Sequence, residues 1–83
     1  MQLSEDILFW AFRYALGRKT YASNNVADEV LAHASEIHPA TRDKMAKEIR
    51  EAIARDTMNM VGGEWYRVLG RLNELDAFDD MEH

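Results

Sequence analysis

Apolar residues recur at helical spacing in four stretches of the chain, and no stretch alternates in the way a half-buried β-strand requires. The first stretch predicts a helix over about residues 5–16. Ser4 stands where an N-cap is needed, Glu5 and Asp6 favour the positive end of the helix dipole, and Leu3 is placed to staple onto Leu8. Gly17 suits the left-handed residue that ends such a helix. From Ile7 to Leu16 almost every position is apolar, and only Asp6, Arg13 and Gly17 form a narrow polar strip. A helix apolar nearly all round is a buried one. In so short a chain it must either be wrapped by the other helices or offer its second face to another chain.

Residues 18–24 read as a connector, followed by a second helix over about 26–37 with Asn25 as N-cap and Asp28 at the third helical position. Its apolar face is Val26, Ala27, Val30, Leu31, Ala34 and Ile37. His38-Pro39 ends it, because the residue before proline avoids helical geometry, and Pro39 then suits the first turn of a third helix over about 40–56. There Met45, Ile49, Ala52 and Ile53 point inward, with charges of both signs outside. Met58, Met60 and Val61 make an apolar loop ahead of Gly62-Gly63. A fourth helix over about 64–75 carries Trp65, Val68, Leu69, Leu72 and Leu75 on one stripe. Gly70 within it costs about 1 kcal/mol relative to alanine, which points to close approach of a neighbouring backbone. Short connections make successive helices antiparallel neighbours. The fold class is therefore all-α: a compact four-helix bundle forming one domain over 1–75, with a flexible acidic tail over 76–83.

Length and composition narrow the classes further. Eighty-three residues, 47% of them hydrophobic and 30% charged, make one ordered domain with a thin core. No cysteine is present, which excludes a disulfide framework, a thiolate metal site and a cysteine nucleophile, and fits a reducing cytosol. The first residues lack the basic region and cleavage site of a signal peptide, and no apolar run is long enough for a membrane span. The net charge of −5 is unevenly placed. Residues 1–73 hold ten bases and ten acids, so the excess is Glu74, Asp76, Asp79, Asp80 and Glu82. A neutral body argues against direct nucleic-acid binding, which rests on phosphate neutralisation. The third helix, after a short turn, invites a helix–turn–helix reading through Arg42, Lys44, Lys47, Arg50 and Arg55. Interleaved Asp43, Glu48, Glu51 and Asp56 would repel a DNA backbone.

Candidate chemistry is sparse. Glu29, His33 and Glu36 share one side of the second helix at a spacing that could hold a metal, but no second histidine joins them, and neither a metal nor a cofactor is expected. No nucleophile–base set or phosphate loop is present, so catalysis is not expected. Arg13, Tyr14, Arg18, Lys19 and Tyr21 crowd cations and aromatic rings into nine residues, and Arg67 and Arg71 pair on the outer side of the fourth helix. Such a set can grip a phosphate-bearing ligand or a partner. The structural alternative has Arg13 pairing with an acid along its own helix, Arg18 and Lys19 serving the dipole, and the tyrosines in the core.

The stretch Phe12-Arg13-Tyr14-Ala15-Leu16-Gly17-Arg18-Lys19-Thr20-Tyr21 resembles a signature of short proteins from phages, prophages and other mobile elements. Pro39-Ala40-Thr41-Arg42, Glu48–Ile53 and Glu64-Trp65-Tyr66-Arg67-Val68-Leu69 are similar to later parts of those proteins, so the resemblance covers roughly residues 8–70. It implies origin more than activity: an accessory factor in the host cytoplasm that binds and inhibits a host defence component, as anti-CRISPR proteins do. The expected partner is a host protein, with a homodimer through the first helix. The alternative is a binder that sequesters a nucleotide signal through the Arg/Tyr cluster, and the third reading is a transcriptional regulator.

Overall fold

In a computed structural model the described residues are 4–18 and 21–81, with the side chains of Tyr21 and of residues 78–81 outside the description. Four α-helices follow one another: α1 (Glu5–Ala15), α2 (Tyr21–His33), α3 (Pro39–Arg55) and α4 (Gly63–Met81), with a 3₁₀ turn at Ala34–Glu36. Among the described residues there is no strand. The all-α four-helix bundle expected from the hydrophobic pattern is the observed fold.

α1 begins and ends as its sequence dictates. Ser4 Oγ accepts the Ile7 amide at 3.2 Å, and Leu16 and Gly17 leave the helix, Gly17 with φ at +84°. The proposed Leu3 staple lies outside the described residues. α2 departs from expectation at its start, for residues 21–24 belong to the helix and Asn25 lies exposed inside it rather than capping it. The reason is Ser23. It is buried on the line that continues through Ala27, Val30, Ala34 and Ile37, so the inward stripe starts one turn before the first large apolar residue. A small polar residue carries no hydrophobic signal, and its burial depends on a hydrogen-bond partner elsewhere in the chain.

The end of α2 is held by the next helix. Its last turn tightens into the 3₁₀ segment, and the buried Arg42 side chain reaches back so that Nη1 donates to the carbonyls of Ala34 at 3.1 Å and Ile37 at 2.9 Å. A guanidinium there satisfies orphan carbonyls and complements the negative end of the dipole. His38 caps α3, its Nδ1 accepting the Ala40 amide at 3.1 Å, while its own backbone N–H donates to the Glu5 carboxylate of α1. Pro39 opens α3 as its fixed φ allows.

The helices do not pack in chain order. α1 rests on α2 and α3, and α4 rests on α3 and α2, giving the cyclic order α1–α2–α4–α3. Successive helices are thus neighbours except α2 and α3, which the 3₁₀ turn and Pro39 set at opposite corners, each packed on α1 and α4. The core lies where the four inner faces meet: Leu8 and Phe12 from α1, Val30 from α2, Met45 and Ile49 from α3, Trp65, Val68 and Leu72 from α4. Trp65 is fully buried. Its ring meets Phe12 edge-on at 5.4 Å between centroids, and its indole N–H donates to Ser23 Oγ at 2.9 Å. Ser23 in turn donates to Glu64 Oε1 at 3.2 Å. That carboxylate folds over Gly62, where a Cβ would collide with it.

The loop from α3 to α4 is clamped by Asp56, whose two oxygens accept the amides of Met60 at 2.8 Å and Val61 at 3.0 Å, with Asn59 at φ +55° between them. Val61 enters the core, whereas Met58 and Met60 face outward. α4 continues six residues past Leu75. Asp76 and Ala77 are exposed, and the side chains of Phe78, Asp79, Asp80 and Met81, with Glu82 of the expected flexible tail, lie outside what is described. Gly70 does not mark a close backbone approach, for a Cβ built there meets nothing within 4 Å.

Two expectations follow. Gly70→Ala removes backbone freedom from the unfolded chain without a clash and raises stability by about 0.5–1 kcal/mol, measurable by urea unfolding. A chain truncated after Leu75 melts at the same temperature or slightly higher, because the removed side chains that are described are exposed. A large fall in melting temperature would instead place Phe78 or Met81 in the core.

Candidate functional site

The bundle measures 40 × 31 × 16 Å between its Cα atoms, and a helix with its side chains is about 10–12 Å across. A slab that thin cannot enclose any helix on all sides, so α1, apolar almost all round, must leave one face outside. Leu8, Phe12 and Ala15 point into the core. Opposite them, Ile7, Trp10 and Tyr14 stand at i, i+3 and i+7 with exposures of 58%, 75% and 61%. These are among the largest exposed apolar groups of the described chain, and they fall on one stripe. A groove of about 260 Å³ runs there, lined by Trp10, Arg13 and Tyr14.

Cations border the stripe. Arg13 lies exposed at the α3 side, with its Nε 4.0 Å from Glu48 Oε1, so its recorded partner is on α3 and not an acid of its own helix. An exposed pair at that distance contributes little. Arg18 folds back over the end of α1. Its Nε donates to the Tyr14 carbonyl at 3.0 Å, and its guanidinium carbon sits 4.4 Å from the Tyr14 ring centroid. One side chain therefore serves the C-terminal dipole and makes a cation–π contact. The alternative that places Tyr14 in the core is incorrect: the residue falls on the outer face because Leu8, Phe12 and Ala15 define the inner one.

Of the remaining candidates, Lys19 and the side chain of Tyr21 lie outside the described residues. Arg67 and Arg71 are exposed on α4, where Arg71 Nη1 pairs with Glu74 at 3.3 Å. A stacked nucleotide would compete with Arg18 for one face of Tyr14. Glu64 lies at the N-terminus of α4 and would repel an anion approaching Gly62-Gly63. In α2 the His33 ring is held between Glu36 at 3.1 Å on Nδ1 and Glu29 at 3.5 Å on Nε2. Among the described residues no group of three or more histidine, aspartate or glutamate side chains is arranged to hold a metal. Arg42 is buried, so the basic face imagined for a recognition helix loses a member. Among the described residues no helix is long and apolar enough to cross a membrane.

Comparison with protein-family models, with curated proteins and with solved structures finds no match.

The sequence reading missed Trp10 and Ile7 as surface groups, although both sit on the side of α1 away from Leu8 and Phe12. It also passed over an acidic contact between α3 and α4. Asp43 has its pKa raised above the ordinary 3.8 by desolvation first, then by the charge of Asp76 and a hydrogen bond with it, while Arg42 and Arg50 oppose the shift. A raised carboxyl pKa means that the folded state holds the proton more tightly than the unfolded state does. Stability therefore falls as pH rises from 3.8 through the folded-state value, and the repulsion is fully present at neutral pH. Asp43→Asn should raise the melting temperature slightly at pH 7 and at low salt. The gain should shrink as the pH falls through the raised folded-state value of Asp43 towards 3.8, and with added salt.

Proposed function

We propose that this chain is a small, non-catalytic interaction protein that docks on a partner protein through the outer face of α1, and that the partner is a component of a host defence system. The observation that supports docking is the stripe of Ile7, Trp10 and Tyr14, with Trp10 three-quarters exposed. Holding an indole in water forgoes about 1.5–3 kcal/mol that burial against a partner would supply. Aromatic and arginine side chains clustered around a shallow groove are the composition of binding hot spots. Arg13 and Arg18 give the rim its charge and its hydrogen-bond donors. The defence target is supported by the resemblance of the Phe12–Tyr21 stretch to phage and mobile-element proteins. A direct nucleic-acid role fits poorly with a body whose charges cancel.

The test is the plating efficiency of a phage targeted by the host's defence, in cells expressing the chain or its Trp10→Ala variant. The wild-type chain should raise plating. The variant should lose the effect, because truncating a hot-spot aromatic costs about 2 kcal/mol or more, about 30-fold in affinity. Its melting temperature should match the wild type, since Trp10 contributes little to the core. Undiminished protection by a folded Trp10→Ala chain would remove α1 from the mechanism.

A further inference from the structure

Accepting the outer face of α1 as a docking surface, we infer that its resident occupant is a second copy of this chain, paired antiparallel about a two-fold axis beside Trp10, and that a target protein must displace that copy. The face is self-complementary. Trp10 lies near its centre, flanked on one side by Asp6 and Arg13 and on the other by Ile7 and Tyr14, each pair seven residues and two turns apart. A two-fold axis perpendicular to two antiparallel helices reverses the direction along the helix and keeps each flank on its own side. Asp6 then meets Arg13 of the second copy, and Arg13 meets its Asp6. On the other flank Ile7 meets the second Tyr14, and at the centre the two indoles pack together. Parallel two-fold pairing would exchange the flanks and set Asp6 against Ile7 and Arg13 against Tyr14 of the second copy, leaving both charges without an opposite partner, so charge favours the antiparallel arrangement.

The side chains required are available. Asp6, Ile7, Trp10, Arg13 and Tyr14 are all exposed, and the 4.0 Å contact from Arg13 to Glu48 is too long and too wet to hold the guanidinium away. The size of the face sets the strength. Eleven helical residues extend about 16 Å, too short to bury the roughly 800 Å² per partner of a tight standard interface. Self-pairing is therefore weak and reversible, which suits an occupant that a better-fitting target replaces.

The experiment is analytical ultracentrifugation of the full chain from low to high micromolar concentration, with circular dichroism to establish that each variant folds. The wild type should pass from the mass of one chain to the mass of two. Asp6→Arg alone and Arg13→Asp alone should each remain monomeric, since each places like charges opposite one another twice. An equimolar mixture of these two single variants should dimerise again, because every contact across the axis is then between opposite charges. Recovery in the mixture shows that each loss comes from charge facing charge across the axis and not from damage to the fold. A wild-type chain that stays monomeric throughout, or a dimer indifferent to both reversals, overturns the inference. A monomeric wild type whose Trp10→Ala variant still loses protection would overturn self-pairing while leaving the docking role intact. Protection by folded Trp10→Ala together with charge-dependent dimerisation would do the reverse.

Discussion

The indole of Trp65 is the point on which the bundle closes. Its ring fills the space between α1 and α4 against Phe12, and its N–H must find an acceptor, because an unsatisfied buried donor costs about 1–3 kcal/mol. Ser23 supplies that acceptor from α2. One side chain therefore ties three helices together, by dispersion with the first and by a directed hydrogen bond with the second. The bond also fixes the start of α2, for Ser23 can reach the indole only if residues 21–24 are helical. Glu64 completes the arrangement from the first turn of α4, accepting from Ser23 and lying across Gly62. α3 joins through a different device, the buried Arg42 that holds the carbonyls at the end of the 3₁₀ turn.

Much of this fold is legible in the sequence, and the failures have a common cause. The inner faces of α3 and α4 follow from apolar spacing, and the helix boundaries at Ser4, Gly17 and Pro39 follow from backbone chemistry. The start of α2 was hidden because its first inward residue is a serine, whose place depends on a tryptophan 42 positions away. Arg42 read as a surface cation because one sequence position gives no sign that two carbonyls await it. The continuation of α4 past Leu75 was hidden by acids, which weaken a hydrophobic stripe without forbidding a helix.

The candidate site was half visible. The apolar circumference of α1 announced that one face would be left over, and Arg13, Tyr14 and Arg18 were already suspect. Which face remained outside could be decided only by packing. Once Phe12 meets Trp65, Trp10 has nowhere to go but solvent, and the cluster gains its largest apolar member. Arg18, suspected as a ligand group, is also a helix cap, so its guanidinium is shared between surface chemistry and the end of α1.

The division of α1 into two faces also separates two kinds of heritable change. Leu8, Phe12 and Ala15 are bound to the shape of the core, and a substitution there is judged first by whether the chain still folds. Ile7, Trp10 and Tyr14 answer to almost no internal neighbour, so variation at these positions alters the exposed face while leaving the melting temperature nearly still. The chain is open to change on that face. It can explore new surfaces by single substitutions, on a helix whose other side keeps the scaffold in being.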